Sequence, residues 1–272
     1  MEYAIQHYEN FPVASVLLPR HLRYPVRVIY AFARQADDFA DEGNDTPEQR
    51  LAKLQNFKTE LDRIERGEPS DNRLFQDLAS VIQAHVLPLQ YFRDLLDAFS
   101  QDVVKTRYAD FGEVMDYCRR SANPIGRLLL HLYGHTDARQ LALSDGICSA
   151  LQLINFLQDI AIDFRKDRIY LPQDELARYG IGEQQLARGE TKGLWWPFMQ
   201  FQIERTRKML QAGAPLGKQL PGRIGLELRL IVMGGDRILH KLHTAHGDIF
   251  HARPILKPSD WPIMLYRALR AK

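Results

Sequence analysis

Four acids crowd six positions in the stretch ARQADDFADEG (33–43): Asp37, Asp38, Asp41 and Glu42. On a helix Asp37 and Asp41 stand one turn apart, as do Asp38 and Glu42, and Arg34 lies one turn before the first pair. Like charges at this spacing weaken a helix by ~0.2–0.5 kcal/mol a pair. They also sit just before Gly43, near a helix end where the macrodipole disfavours anions. A second series, Asn155, Asp159 and Asp163, recurs every fourth residue and so forms one polar stripe, which Gln152 extends. Around it Leu151, Leu153, Ile154, Phe156, Leu157, Ile160, Ile162 and Phe164 make the helix apolar on nearly every side, the mark of a buried helix. Ionised carboxylates in such a setting need a bound cation, a water-filled cavity or a paired base. Clustered carboxylate oxygens suit a hard cation, above all Mg²⁺ bridging protein to a substrate phosphate.

Each stripe has a plainer account. Taken alone, 37–42 reads best as an exposed acidic helix end, and Asp159 and Asp163 can be satisfied by Arg165 or Arg168. Two acid stripes of the same spacing, on two helices of one chain, move the balance toward a metal-assisted site.

The elements that must position these residues are helices. The 3.6-residue period predicts them at about 24–42, 47–66, 72–86, 88–100, 111–133, 144–164, 195–212, 222–246 and 259–270. Alternating β-branched runs are few, and no Asn-Gly or Asp-Gly hairpin is flanked by them. With 272 residues, 45% hydrophobic and 26% charged, the chain is expected to be globular, all-α and a single domain over 1–272. A net charge of +2 and no basic tail argue against nucleic-acid binding. No uninterrupted apolar run approaches the ~18 residues of a membrane span. The start, Met-Glu-Tyr-Ala-Ile-Gln-His, lacks the features of a signal peptide. The expectation is a cytoplasmic chain with room for peripheral contact at the inner membrane.

With these residues in place, the chain resembles the squalene/phytoene synthase family of head-to-head isoprenoid synthases. HYENFPVASVLLPRHLRYPVRVIYAFARQADDFADE (7–42) looks like the family's opening segment and first aspartate-rich motif. YCRRSANPIGRLLL (117–130) looks like its central helix break, and LQLINFLQDIAIDFRKDRIYLP (151–172) like its second aspartate-rich motif. The resemblance implies an isoprenoid-synthase-type helical bundle around a central cavity, with the two acid clusters across its mouth. It implies Asp37, Asp38 and Asp41 as one set of Mg²⁺ ligands and Asn155, Asp159 and Asp163 as the other. Arg34 and Arg168 would help bind a diphosphate, whereas Lys166 is expected to be surface charge. Aromatic faces stabilise carbocations, and Phe11, Tyr117 and Tyr170 are the candidates, the two tyrosines matching motif positions of the family. Phe32 is expected to be ordinary core.

Two features separate the chain from better-known relatives. Gln158 stands where phytoene and squalene synthases commonly carry Arg, and Ser121-Ala-Asn-Pro-Ile-Gly126 replaces a Val-Ala-Gly-type break. HYENFPVAS and SANPIGRLLL both look like the branch of bacterial hydroxysqualene synthases. That branch ionises presqualene diphosphate, rearranges the cyclopropyl cation and lets water capture it, between a presqualene diphosphate synthase and a hydroxysqualene reductase. At the break, Pro124 disturbs the preceding turn and Gly126 adds freedom. Ser121 or Asn123 is then placed to position the water, although Asn123 serves equally well as a bond to the broken backbone. The rival expectations are a synthase condensing two farnesyl or other prenyl diphosphates, and a non-enzymatic helical scaffold.

Three further features have plain readings. His240, His243, His246 and His251 fit a helix end favoured by the macrodipole better than a metal site. GLWWPFMQF (193–201) could dock on a membrane, but core packing is its expected use. Cys118 and Cys148 are expected to be buried thiols.

Overall fold

The computed structural model describes residues 18–270, so Phe11 and most of the opening segment lie outside the described residues. Thirteen helices are described: α1 (Arg23–Asp41), α2 (Pro47–Arg66), α3 (Arg73–His85), α4 (Leu89–Val104), α5 (Phe111–Ser121), α6 (Asn123–Leu132), α7 (Ala138–Arg165), α8 (Gln173–Arg178), α9 (Glu183–Ala187), α10 (Trp195–Gly213), α11 (Leu216–Gln219), α12 (Gly222–Thr244) and α13 (Trp261–Arg270). The all-α reading holds, with one small addition. Strands β1 (Arg107–Tyr108) and β2 (Ile169–Pro172) pair in parallel with an irregular register. Segments of two and four residues are too short to carry a period-2 signal.

The chain packs as two compact units, one formed by residues up to Lys105 with Arg119–Leu141, the other by Thr106–Cys118 with Ala142–Lys272. In the first unit α1 packs on α2, α3 and α4. Ile29, Phe32, Ala36 and Ala40 recur at helical spacing and are buried. Phe32 lies 5.3–6.0 Å, centroid to centroid, from Phe57, Phe75 and Phe92, so it is core, as expected. Each such fully buried side chain contributes about 1.5–3 kcal/mol. Helix α2 starts at a capping box, where Thr46 Oγ1 accepts from Gln49 N and Gln49 Oε1 accepts from Thr46 N. It stops at Gly67, whose φ of 69° closes the helix in the left-handed region.

The second unit is built on α7, α10 and α12. Gly213 lets α10 press against α7, because a Cβ there would meet Leu143 O and Ile147 Cγ1 at 2.6 Å. Trp195, Phe198 and Met199 are buried, so the aromatic stretch is core packing. Glu175 of α8 is buried and accepts both guanidinium arms of Arg205 on α10, at 2.5 and 2.9 Å.

Two helix boundaries differ from expectation. The single helix at 111–133 is divided at Ala122, so the break falls two residues before Pro124. Helix α7 starts at 138 rather than 144, because Asp137 Oδ1 accepts from the backbone of Arg139 and Gln140 and caps an earlier start. At 28 residues α7 is long and apolar enough to cross a bilayer, but half of its most apolar window is buried within the protein. It is not buried all round, as its composition predicts, since Asn155 and Ile162 are exposed.

Candidate active site

The first acid cluster stands on the flank of α1 beside its buried stripe. Arg34 Nη1 lies 3.4 Å from Asp37 Oδ2 and Nη2 lies 2.6 Å from Asp38 Oδ1. The second contact is misaligned for a hydrogen bond, and Asp38 Oδ1 and Arg34 Nε are left buried with no hydrogen-bond partner. Asp37 keeps 40% of its side chain accessible, yet it is recessed among dense protein. Burial first, then Asp41, push its pKa up to about 7; Arg34 opposes this, and Asp102 and Asp38 add to it. Asp102, a buried residue on α4, joins the cluster through tertiary packing that no local spacing reveals.

These acids stand at the C-terminal end of α1, and Arg50 of α2 compensates for them. Its Nη1 donates to Phe39 O (3.2 Å) and Ala40 O (2.6 Å), its Nη2 to Gly43 O (2.9 Å) and its Nε to Asp45 O (3.1 Å). One guanidinium thus satisfies the final carbonyls and sets positive charge against the negative helix end.

The second cluster lies on α7. Asn155 is exposed, and Asp159 and Asp163 are half-buried. Neither Arg165 nor Arg168 pairs with Asp159 as the plainer reading expects. Arg253 does so from the loop after α12, with Nε 2.5 Å from Oδ1 and Nη2 3.1 Å from Oδ2. Beside it Gln158, only 1% exposed, donates through Nε2 to the Pro254 carbonyl at 2.5 Å. Arg253 is 94 residues from Asp159 in sequence, so helical spacing could not find it. Arg168 is half-buried, and its backbone N–H donates to the Asp163 carbonyl at 2.9 Å, tying it to the end of α7. Lys166 is exposed.

Tyr117 and Tyr170 meet in an aromatic cluster of the second unit. Tyr170 stacks on Phe156 at 4.0 Å and 5° and lies 5.5 Å from Tyr117. Tyr108, on β1, completes the group at 5.4 Å from Tyr170 and 5.7 Å from Tyr117. The short sheet brings Tyr108 and Tyr170 together. The four rings are buried, and their faces can stabilise positive charge.

At the helix break, Ser121 ends α5 and Asn123 starts α6. Ser121 Oγ is buried with no hydrogen-bond partner, while Asn123 is buried and partnered. Just before the break, Arg120 Nη2 donates to Gln101 Oε1 at 2.6 Å.

His243 and His246 pack their rings edge-on to Trp196, and His251 pairs with Asp248. Burial raises the Cys118 thiol to about 12, an inert state. Cys148 is only half-buried, against expectation.

The donors on α1 fit a hard cation. Asp41, Asp102 (from α4) and Asp38 each disfavour a charge on Asp37, and Asp38 Oδ1 lacks a donor. Among the described residues no three His, Cys, Asp or Glu side chains are gathered into a complete metal cage. Mg²⁺ commonly takes only one or two protein carboxylates and fills its octahedron with water and substrate phosphates.

Residues 5–260 match the family model for squalene/phytoene synthase. Hydroxysqualene synthase of Rhodopseudomonas palustris is 36% identical over 97% of this chain and 89% of its own length. The 15-cis-phytoene synthase of Synechococcus elongatus is 29% identical over 96% of this chain and 89% of its own. Among solved structures, squalene synthase HpnC from Alicyclobacillus acidocaldarius superposes with a TM-score of 0.82 at 34% identity, covering 88% of this chain and 90% of that one. A dehydrosqualene synthase gives a TM-score of 0.83 at 19% identity, over 94% of this chain and 88% of that one, a likeness of fold. The chain is an isoprenoid synthase and belongs to the squalene/phytoene synthase family.

Proposed function

We propose that this enzyme converts presqualene diphosphate into hydroxysqualene and diphosphate with the help of Mg²⁺. The observation that carries a diphosphate reaction is the crowding of acids on Asp37, where Asp41, Asp102 and Asp38 all disfavour its charge and a cation would relieve them. The likeness to curated hydroxysqualene synthases supports this member of the family. So does the unpartnered Ser121 hydroxyl at the helix break. The family match runs through both packing units, which supports reading 1–272 as one catalytic domain.

Asp37, Asp38 and Asp41 would hold the metal from α1, and Asn155, Asp159 and Asp163 from α7. Bound Mg²⁺ supplies Lewis-acid neutralisation of the departing diphosphate. Arg34 and Arg168 bind its phosphate oxygens as fixed cations. As the carbon–oxygen bond ionises, the electron pair leaves with the diphosphate and a cyclopropylcarbinyl cation remains. The faces of Tyr117 and Tyr170 shelter that cation from water while it rearranges. Ser121 or Asn123 holds one water, whose oxygen adds to the cation and whose proton passes to the released diphosphate, giving the alcohol. A presqualene diphosphate synthase would supply the substrate, and a hydroxysqualene reductase would consume the product.

The second reading is a condensation of two prenyl diphosphates, farnesyl diphosphate among them, favoured by the likeness to 15-cis-phytoene synthase. One assay separates the two. The purified chain is incubated with Mg²⁺ and either presqualene diphosphate or farnesyl diphosphate, and the extracted lipid is identified. Hydroxysqualene from presqualene diphosphate alone is the expected result. Presqualene diphosphate or a C30 or C40 polyene formed from the shorter substrates would overturn it.

A further inference from the structure

Helix α13 begins where the match to the family model ends, at residue 260. It is pinned at both ends. Asp260, just before it, is shielded by its partners rather than by depth. It accepts from Arg237 Nε (2.7 Å), Lys241 Nζ (2.5 Å) and the Lys257 backbone N–H (2.7 Å). Near the other end, Arg229 Nε donates to the Ala268 carbonyl at 2.9 Å. Met264 and Ala268 are buried, and α12 packs against the helix. These contacts fix which side of α13 faces outward.

That outward side is apolar. Trp261, Leu265 and Leu269 follow one another at every fourth residue and are 38%, 45% and 49% exposed. Tyr266, 54% exposed, widens the row. The helix holds no acid, and its last turn carries Arg267 and Arg270, the latter with its guanidinium 4.5 Å from the centre of the Tyr266 ring. Scattered exposed apolar residues are ordinary, but a contiguous row on a rigid helix marks a contact surface. The row is too small for a stable contact with a second copy. Together with Ile263, 44% exposed, the five half-exposed side chains of α13 offer on the order of half the ~800 Å² that each partner buries in a standard interface. A bilayer needs no such area from one helix, because it combines apolar insertion with attraction to cations.

We propose that α13 is an interfacial helix that docks the protein on an anionic lipid bilayer. Trp261, Leu265 and Leu269 enter the boundary between headgroups and acyl chains. Tyr266 sits at headgroup depth, where aromatic rings with a polar edge collect. Arg267 and Arg270 lay their stems along the apolar region and reach the lipid phosphates. This surface is independent of which prenyl diphosphate the enzyme uses.

The test is co-sedimentation of the full chain with vesicles of phosphatidylcholine and phosphatidylglycerol at about 3:1, and with phosphatidylcholine alone. Two double variants are compared, Leu265→Ser with Leu269→Ser, and Arg267→Glu with Arg270→Glu. The parent is expected to bind the anionic vesicles, and each double variant to partition at least about fivefold less at an unchanged melting midpoint. Parent protein that stays in the supernatant, or serine variants that sediment like the parent, would overturn the proposal. So would a dimer, seen by light scattering, that the serine variants convert to monomer, since the face would then join two copies.

Discussion

Arg253 and Asp159 form a two-toothed pair, Nε to Oδ1 at 2.5 Å and Nη2 to Oδ2 at 3.1 Å. The next residues along each segment, Pro254 and Gln158, are joined as well, at 2.5 Å. Two consecutive loop residues therefore clasp two consecutive residues of α7. The buried amide fixes the loop, and the loop presents the guanidinium to the acid. Gln158→Leu keeps the bulk but removes the donor and leaves the Pro254 carbonyl poorly satisfied, at a cost of about 1–3 kcal/mol in denaturant unfolding. Arg253 holds Asp159, a proposed Mg²⁺ ligand, so with Arg253 loosened the KM for the diphosphate substrate is expected to rise several-fold more than kcat falls. A variant with parental stability and parental KM would show that the clasp does not position Arg253.

Charge on Asp37 should govern the pH response of the metal-free protein. Its folded pKa is raised from the ordinary 3.8 to about 7, so the folded state binds more protons than the unfolded state between those values. Stability then falls as pH rises through that window, since its slope follows the protons bound unfolded minus folded. In EDTA the melting midpoint is expected to decline between about pH 4 and pH 7 from this group. Asp37→Asn should flatten that decline and raise the midpoint at pH 8. Mg²⁺ with inorganic diphosphate should stabilise the parent by binding the folded state, and Asp37→Asn should lose most of that gain. An equal gain in both proteins would place the cation elsewhere.

Arg50 is expected to be the stabilising partner of the acidic helix end. Arg50→Ala leaves the last carbonyls of α1 without their charged donor. It should lower unfolding free energy by about 1.5–3 kcal/mol, in the range of hydrogen bonds to charged groups. Arg50→Lys should recover only part of the loss, because one ammonium cannot span four carbonyls. Chemical denaturation of the three proteins gives the comparison. A loss within ~0.5 kcal/mol, typical of an ordinary surface change, would refute the role.

Ser121 and Asn123 should separate stability from product choice. The Ser121 hydroxyl is buried and unpartnered, so Ser121→Ala is expected to keep or raise the melting midpoint. Under the proposed reaction it should also lower the fraction of alcohol among the products. Asn123→Leu should lower stability, because the residue is buried and partnered and the change removes its amide. Gas chromatography of the extracted lipids reads the outcome. An unchanged alcohol fraction in both variants would remove these two residues from water capture.

What the sequence determined by itself was local. Helical periodicity was legible because each helix buries a stripe repeated every 3.6 residues, as Ile29, Phe32, Ala36 and Ala40 do on α1. The acids at 37–41 and 155–163 could be paired off because residues four apart share a helix face. The resemblance to a family rested on such motifs, and the comparisons bear it out. Tertiary structure decided who answers these charges. Arg253 pairs with Asp159, Arg50 binds the carbonyls at the acidic end of α1, and Asp102 adds its charge to the first cluster, all from other segments that no periodicity connects. The same holds for the Tyr108–Tyr170 stack, made by a sheet too short to leave a pattern. It also holds for α13, whose sequence marks it as a helix but not which side faces outward. That side follows from Arg229, Arg237 and Lys241 of α12, which set the rotation of the helix through a bond to its Ala268 carbonyl and ion pairs to Asp260 just before it. Local spacing reveals what shares a face, whereas burial and long-range charge pairing exist only once the chain has folded.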